Sequence, residues 1–527
     1  MSAKTAAKTD LNASYDDVPY ESFTYPQTHP AHMKTVGTLF RLSPPELETA
    51  EVLEIGCAAG GNLFPQAVAY PKAKFTGIDF SAEQIARAEE EKKALGLKNI
   101  TFRQEDILKF DLKANKDKFD YIICHGVFSW VPEPVREKVL AVIAACLKKN
   151  GLAVVSYNTL PGWHAVRGVR EMMLYHTERF PKAQDKIQQA RGLLDFLAES
   201  VPEANTVYRA LIDNERGILK SVNDTYIFHD HLESVNAQFY FHEFMRLATA
   251  HQLVYVGDAA YTSMFLQNMT PKAMETLQAL NDVVLQEQYM DFVNNRRFRT
   301  TILCKDGAKL NRMLENDQIM NYGISNTLTM DGPPDQDLSK PVNFKMPNGS
   351  FLTTHDVGTA ELFVELTKTG RTPTPARDIA AAVQKRLKSS DPRAAEKLLV
   401  QNGLQMVLRG FLNLHSDVPE FTTKISKKPV VYPIARYQAG KELPQVTNAL
   451  LGGIPTGEIV NIILHSLDGT RTVDDVIDVL AAKVAAGKLN VSRNKQPLTE
   501  PKEVRKALVE IMDNTMPKIA QQALLVG

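Results

Sequence analysis

The chain has 527 residues, 44% of them apolar and 23% charged, with 61 Lys and Arg against 61 Asp and Glu. These proportions are ordinary for globular domains, the length allows about two to four of them, and the even charge balance gives no global field to recruit nucleic acid or an anionic membrane. No stretch reaches the roughly 20 apolar residues of a membrane span, and the start, Met1 to Thr5, is not the apolar core of a signal peptide.

The expectation is therefore a cytoplasmic protein with no membrane insertion and no nucleic-acid partner. Cys57, Cys124, Cys146 and Cys304 have no metal-ligand spacing, which suits a reducing compartment. No metal is expected.

Residues 1–45 form an N-terminal arm. Its segment from Ser14 to Pro30 is dense in aromatics and proline, so it cannot be a regular helix, yet its rings need burial. An ordered lid over the next domain is expected, with Tyr15, Tyr20, Thr28 and His29 as candidate ligand contacts. His29 and His32 lack a third ligand at metal spacing. A helix over 31–42 follows.

Residues 52–62 (VLEIGCAAGGN) organise what comes next. A β-prone run is followed by small residues and then an apolar segment, which predicts strand, tight turn and helix start. Gly56, Ala58 and Gly61 loosely fit a dinucleotide fingerprint. Glu54 argues against a pyrophosphate at that turn and suits the cationic methionine part of S-adenosylmethionine.

A second strand ends at Asp79-Phe80, where the acid can accept both ribose hydroxyls. A third, 100–104, ends in Glu105-Asp106-Ile107, an acid and an apolar residue suited to the adenine amino group and face. A fourth, 119–124, opens into His125-Gly126-Val127-Phe128-Ser129-Trp130. Taken singly, such strand-end residues are more often caps or turn residues; the ordered set is what points to a cofactor site.

After a turn at Asn150-Gly151 a fifth strand, 152–158, ends near Trp163 and His164, so Tyr157, Asn158, Trp163 and His164 join the substrate side. Residues from 165 to about 221 read as amphipathic helices with Met172 and Met173 in their core. His229, Asp230, His231, Glu233 and His242 contain enough ligands for a metal, but substrate contact is the better functional reading. Strands at 253–257 and 297–304 complete the sheet, and Arg296, Arg297 and Arg299 are expected as a solvated or carboxylate-paired face.

The four strand ends resemble class I S-adenosylmethionine-dependent methyltransferases. The arm motif around Tyr15 to Tyr20 with Thr28-His29-Pro30, the loop 125–132, the block 229–257 and the run from Glu287 to Arg299 are similar to bacterial methyltransferases bearing a methyltransferase regulatory domain, including the rickettsial-type protein lysine methyltransferases.

The resemblance implies an α/β fold, a Rossmann-like seven-stranded domain over 46–305 with helical insertions at about 165–240 and 262–295. A linker over 306–347 and a mainly helical C-terminal domain over 348–527 follow. Three helices beside a hairpin at Asn348-Gly349 give that domain a winged-helix-like outline. The cofactor-binding set is Tyr20, Thr28, His29, Glu54, Gly56, Ala58, Gly60, Asn62, Asp79, Phe80, Asp106, Ile107, His125 and Gly126. Trp130, His125 and Tyr157 are the candidate catalytic groups.

The implied activity is N-methylation of lysines in an outer-membrane surface protein, unfolded before export; a homodimer is compatible with it. A small-molecule methyltransferase, a non-catalytic cofactor-binding module, a nucleic-acid methyltransferase and an NAD enzyme are the alternatives. The intact acids Glu54, Asp79 and Asp106 oppose the second, the missing Asn-Pro-Pro-Tyr or Asp-Pro-Pro-Tyr motif the third, and Glu54 the fourth.

Overall fold

The computed structural model describes residues 22–333, 336–346, 349–493 and 496–527. Its central sheet contains β1 (Glu51–Ile55), β2 (Lys74–Asp79), β3 (Ile100–Gln104), β4 (Phe119–Cys124), β5 (Leu147–Thr159), β6 (Leu253–Asp258) and β7 (Phe298–Lys305). They lie in the order β3-β2-β1-β4-β5-β7-β6, and a two-residue strand, Gln238–Phe239, pairs with the end of β5. The first five strands are parallel, and β7 runs antiparallel to both neighbours.

Every residue of β4 is buried, as expected of a strand covered on both faces by helices. Strand order reverses between β1 and β4, so the loops after these strands diverge and leave a crevice at their carboxyl ends. The expected turn at Asn150-Gly151 is instead within β5, opposite a register shift between Phe119 and Tyr121.

The first insertion is three helices, Trp163–Thr177, Ala183–Ser200 and Thr206–Ser221. They have their own core, in which Met173 packs with Val169, Ile187, Leu194, Ile212 and Leu219. A three-residue helix, Asp224–Tyr226, runs into a π-helical turn, Ile227–His231.

The second insertion ends in a helix, Val283–Asn294, bolted to the sheet by charge. Arg299, fully buried on β7, donates to both carboxylate oxygens of Asp291 and to Glu287 at 2.8 Å each, with its guanidinium 4.0 Å from the Phe241 ring centre. Arg296 pairs with Asp291 at 3.1 Å and Arg297 with Glu215 at 2.8 Å. The arginine cluster is thus carboxylate-paired.

The described residues of the expected linker, 306–347, pack as part of the folded structure instead. Ile319, Ile324 and Leu328 are buried in the main core, and Gly323–Asn326 pairs antiparallel with Thr374–Pro375 and Leu412–His415. Polar residues between these anchors gave the segment its linker-like composition. Val342–Lys345 and Phe351–Thr354 form the expected hairpin, whose Asn348 lies outside the described residues, and helices Val357–Thr369, Ala376–Arg386 and Ala394–Leu408 follow. The last unit, from about Tyr432, is mainly helical and ends in Pro501–Gln521.

Candidate active site

The loop after β1 is shaped by backbone that side chains resist. Gly56, Ala58 and Gly60 have φ of 73°, 44° and 81°. A Cβ on Gly56 would stand 2.4 Å from Val127 Cγ2, so the loops after β1 and β4 meet only with glycine there. Asp79 pins the same loop from the next strand, because its carboxylate accepts from the Ala58 and Ser81 amides at 2.9 Å each. Burial raises its pKa, against those amides.

Glu54 is 4% exposed. Its Oε1 accepts from Asn62 at 2.8 Å, while Oε2 is buried with no hydrogen-bond partner among the described residues. Burial pushes this carboxyl up to about 8, opposed by the Asn62 bond and assisted by the Asp79 charge. A buried acid left half-satisfied has room for a further partner, and a cation there would lower its pKa again.

The arm closes over this loop. The Tyr25 amide donates to Asn62 Oδ1 at 2.9 Å, Asn62 Nδ2 donates to Thr28 Oγ1 at 3.0 Å, and the Gly61 amide donates to Ser22 Oγ at 2.7 Å. The Tyr25 ring lies 4.4 Å from His125. Burial lowers the His125 pKa to about 4, which makes it a neutral imidazole at physiological pH.

Strand ends, arm and first insertion enclose one chamber of ≈740 Å³. Glu54, Gly56, Ala58, Asn62, Asp79, Phe80, Asp106, Ile107, His125 and Gly126 line it, and so does Trp130. Phe80 and Leu108 are half-exposed on its border, as apolar covers for a flat ring. Trp130 and Trp163 meet edge to face at 6.4 Å, and Asn158 is beside them in the lining. The insertion adds Glu215, Tyr226, His229, Asp230 and His231, and the start of β7 adds Phe298 with Arg297 just before it.

Several expected contacts lie elsewhere. Tyr157 is 1% exposed, stacked on Phe244 at 4.0 Å and bonded to Thr301, so it is a core residue and not a catalytic one. His29 caps helix Pro30–Leu39 by accepting from the Ala31 amide and borders a separate ≈190 Å³ cavity. Thr28 is fully buried and acts through Asn62. Gly60 packs on Phe102, 2.6 Å from where its Cβ would be, outside the chamber lining. His164 bonds the Tyr240 hydroxyl away from the chamber. Tyr15 and Tyr20 fall outside the described residues.

Glu215 and Arg297 were missed as chamber residues. The signal for Glu215 was its place in the buried helical stripe Ile212, Glu215, Leu219, where an acid needs a partner or a function.

These residues fit S-adenosylmethionine. The unpartnered Glu54 oxygen suits its cationic end, Asp79 retains lone pairs for ribose hydroxyls, and Asp106, Ile107, Phe80 and Leu108 suit a purine. The bound cofactor supplies an electrophilic methyl group on a sulfonium.

Comparison with known proteins agrees. A "Methyltransferase domain" family model matches residues 47–206, "Predicted methyltransferase regulatory domain" matches 223–305, and "PKMT, C-terminal winged helix domain" matches 427–524. The last lies downstream of the three helices from which the winged-helix outline was read. Uncharacterized protein RP789 of Rickettsia prowazekii is 39% identical over 521 residues, covering 97% of this chain and 93% of that protein. The solved structure of PKMT2 from Rickettsia typhi in complex with AdoHcy superimposes with a TM-score of 0.90 at 34% identity, covering 97% of this chain and 100% of the other. The chain belongs to the S-adenosylmethionine-dependent methyltransferases with a methyltransferase regulatory domain, the family of the rickettsial PKMT proteins.

Proposed function

We propose that the enzyme N-methylates lysine side chains of a bacterial outer-membrane surface protein, taken in unfolded form in the cytoplasm before export. The observation that carries this reading is the composition of the chamber, in which Trp130, Trp163 and Tyr226 stand with acidic side chains beside the cofactor loops. Aromatic faces and carboxylates together favour an ammonium and its methylated products. Four buried, unpaired cysteines suit a reducing compartment.

Transfer requires the amine lone pair in line with the methyl group, and water kept out. Tyr25 and Ser22 hold the arm over the β1 loop, which closes that side. Trp130, propped by Trp163, forms a wall against which an alkyl chain can lie. His125, neutral and with a buried Nδ1 that has no partner among the described residues, orients ligand atoms by hydrogen bonding.

A small-molecule substrate is the second reading. It is favoured by one observation: among the described residues none beyond Phe298 lines the chamber, so no groove leads into the C-terminal half. Incubation of unfolded outer-membrane surface protein with methyl-labelled S-adenosylmethionine, followed by peptide mass analysis, separates the two. Label on lysine is expected; cofactor binding without label on protein would favour the small molecule.

A further inference from the structure

The insertion-side wall of the chamber and the residues behind it carry several charged groups, and most of these are paired. Glu215 is held by Arg297 at 2.8 Å and by Asn214 at 3.1 Å. Glu233 lies 3.8 Å from His229 Nδ1, and its carbonyl accepts from Arg170. Arg191 is engaged by Asp224 at 2.9 Å.

Asp230 differs. No hydrogen bond or ion pair joins its carboxyl to another described residue, it is half-buried, and it lines the chamber from the π-helical turn Ile227–His231. Turns of this type are frequent at functional sites.

We propose that Asp230 meets the substrate amine, binding the incoming ammonium and taking one proton from it. The inference rests on the lysine reading above. The carboxylate accepts a proton from R–NH₃⁺, leaving R–NH₂. The freed lone pair forms the N–C bond to the methyl group while the C–S bond breaks, and that electron pair stays on sulfur. The product nitrogen carries the positive charge, and Asp230 returns its proton to water.

His231 and Glu215 make poorer acceptors. Burial, with Arg170 and Arg297 nearby, lowers His231 to about 4, and Glu215 is committed to Arg297. Burial pushes Asp230 itself up to about 7, with His229 opposing, which suits a group that must both take and release a proton near neutral pH. Tyr226 completes the set of titratable side chains on this wall.

The test compares wild type with Asp230→Asn and Asp230→Glu. Calorimetry measures binding of AdoHcy, then binding to the AdoHcy complex of an unfolded lysine-containing segment of an outer-membrane surface protein and of its lysine-acetylated form. Asp230→Asn should bind AdoHcy within about threefold of wild type, bind the lysine segment at least about tenfold more weakly and the acetylated one equally, and lose about 100-fold or more in turnover. Asp230→Glu should recover part of both losses, which separates this role from misfolding. Equal segment binding and turnover within threefold in Asp230→Asn would overturn the proposal alone. A wild type that binds AdoHcy yet methylates no protein would overturn the lysine reading and this inference with it.

Discussion

Glu54 should make cofactor binding a proton-linked event. Its carboxyl titrates at about 8 in the free protein, so at pH 6 it is protonated and must lose that proton to face a cation. Two pH units correspond to about 2.7 kcal/mol, or roughly 100-fold in affinity. Binding of S-adenosylmethionine should tighten about tenfold per unit between pH 6 and 7, level off above about pH 9, and release close to one proton at pH 7. Calorimetry in buffers of different ionisation enthalpy counts that proton. Glu54→Gln retains an acceptor for Asn62 but cannot ionise, so it should lose this part of the slope; ligand titration is common to both proteins and cancels. The free protein should show the opposite trend. A carboxyl raised from 4.5 to about 8 contributes its stability in full below 4.5 and loses it as pH rises to 8. Wild-type Tm should therefore fall more steeply than that of Glu54→Gln between pH 5 and 8. Identical pH slopes for binding in the two proteins would refute the pairing of Glu54 with the cofactor's cation.

Asp79→Ala removes the candidate ribose acceptor and the acceptor for the Ala58 amide together, so cofactor affinity measured by calorimetry should fall about 100-fold or more while cooperative melting persists. Unchanged affinity would take Asp79 out of the ribose site. Trp130→Ala should lower turnover about tenfold or more in the methylation assay, with cofactor affinity within about threefold; equal turnover would remove it from the mechanism. Gly56→Ala should cost about 1–3 kcal/mol in denaturant unfolding. Adding Val127→Ala relieves the contact at 2.4 Å but leaves the φ of 73°, so recovery should be partial.

What was readable in the sequence was local. Asp79 ends β2, Glu54 is the last residue but one of β1 and Asp106 lies two residues past β3, each beside its own turn, so their candidacy follows from short-range pattern. Tyr157 was readable and misread: Ala153, Val155 and Tyr157 alternate along β5 into one core, whereas Asn158 faces the chamber. Arg297 and Glu215 are 82 residues apart, and only the packed insertion brings them together. The 306–347 segment failed for a different reason, since its few buried anchors are diluted by polar residues that lie on the surface.

The C-terminal half contributes nothing to the described chamber lining, yet it is tied to the elements that shape the chamber. The Tyr432 hydroxyl donates to the Pro65 carbonyl at 3.0 Å, in the helix that starts at the cofactor loop. Thr24 of the arm donates to the Leu451 carbonyl at 3.1 Å, and the Thr35 hydroxyl donates to Ser416 at 3.0 Å from the helix that His29 caps. These bonds reach the arm and cofactor loop from behind. A displacement of the last unit would therefore be felt at Asn62, which joins the arm to Glu54 through Tyr25 and Thr28. The C-terminal half thus braces the described part of the arm and the helix after the cofactor loop from outside the chamber, without supplying a residue to its described lining.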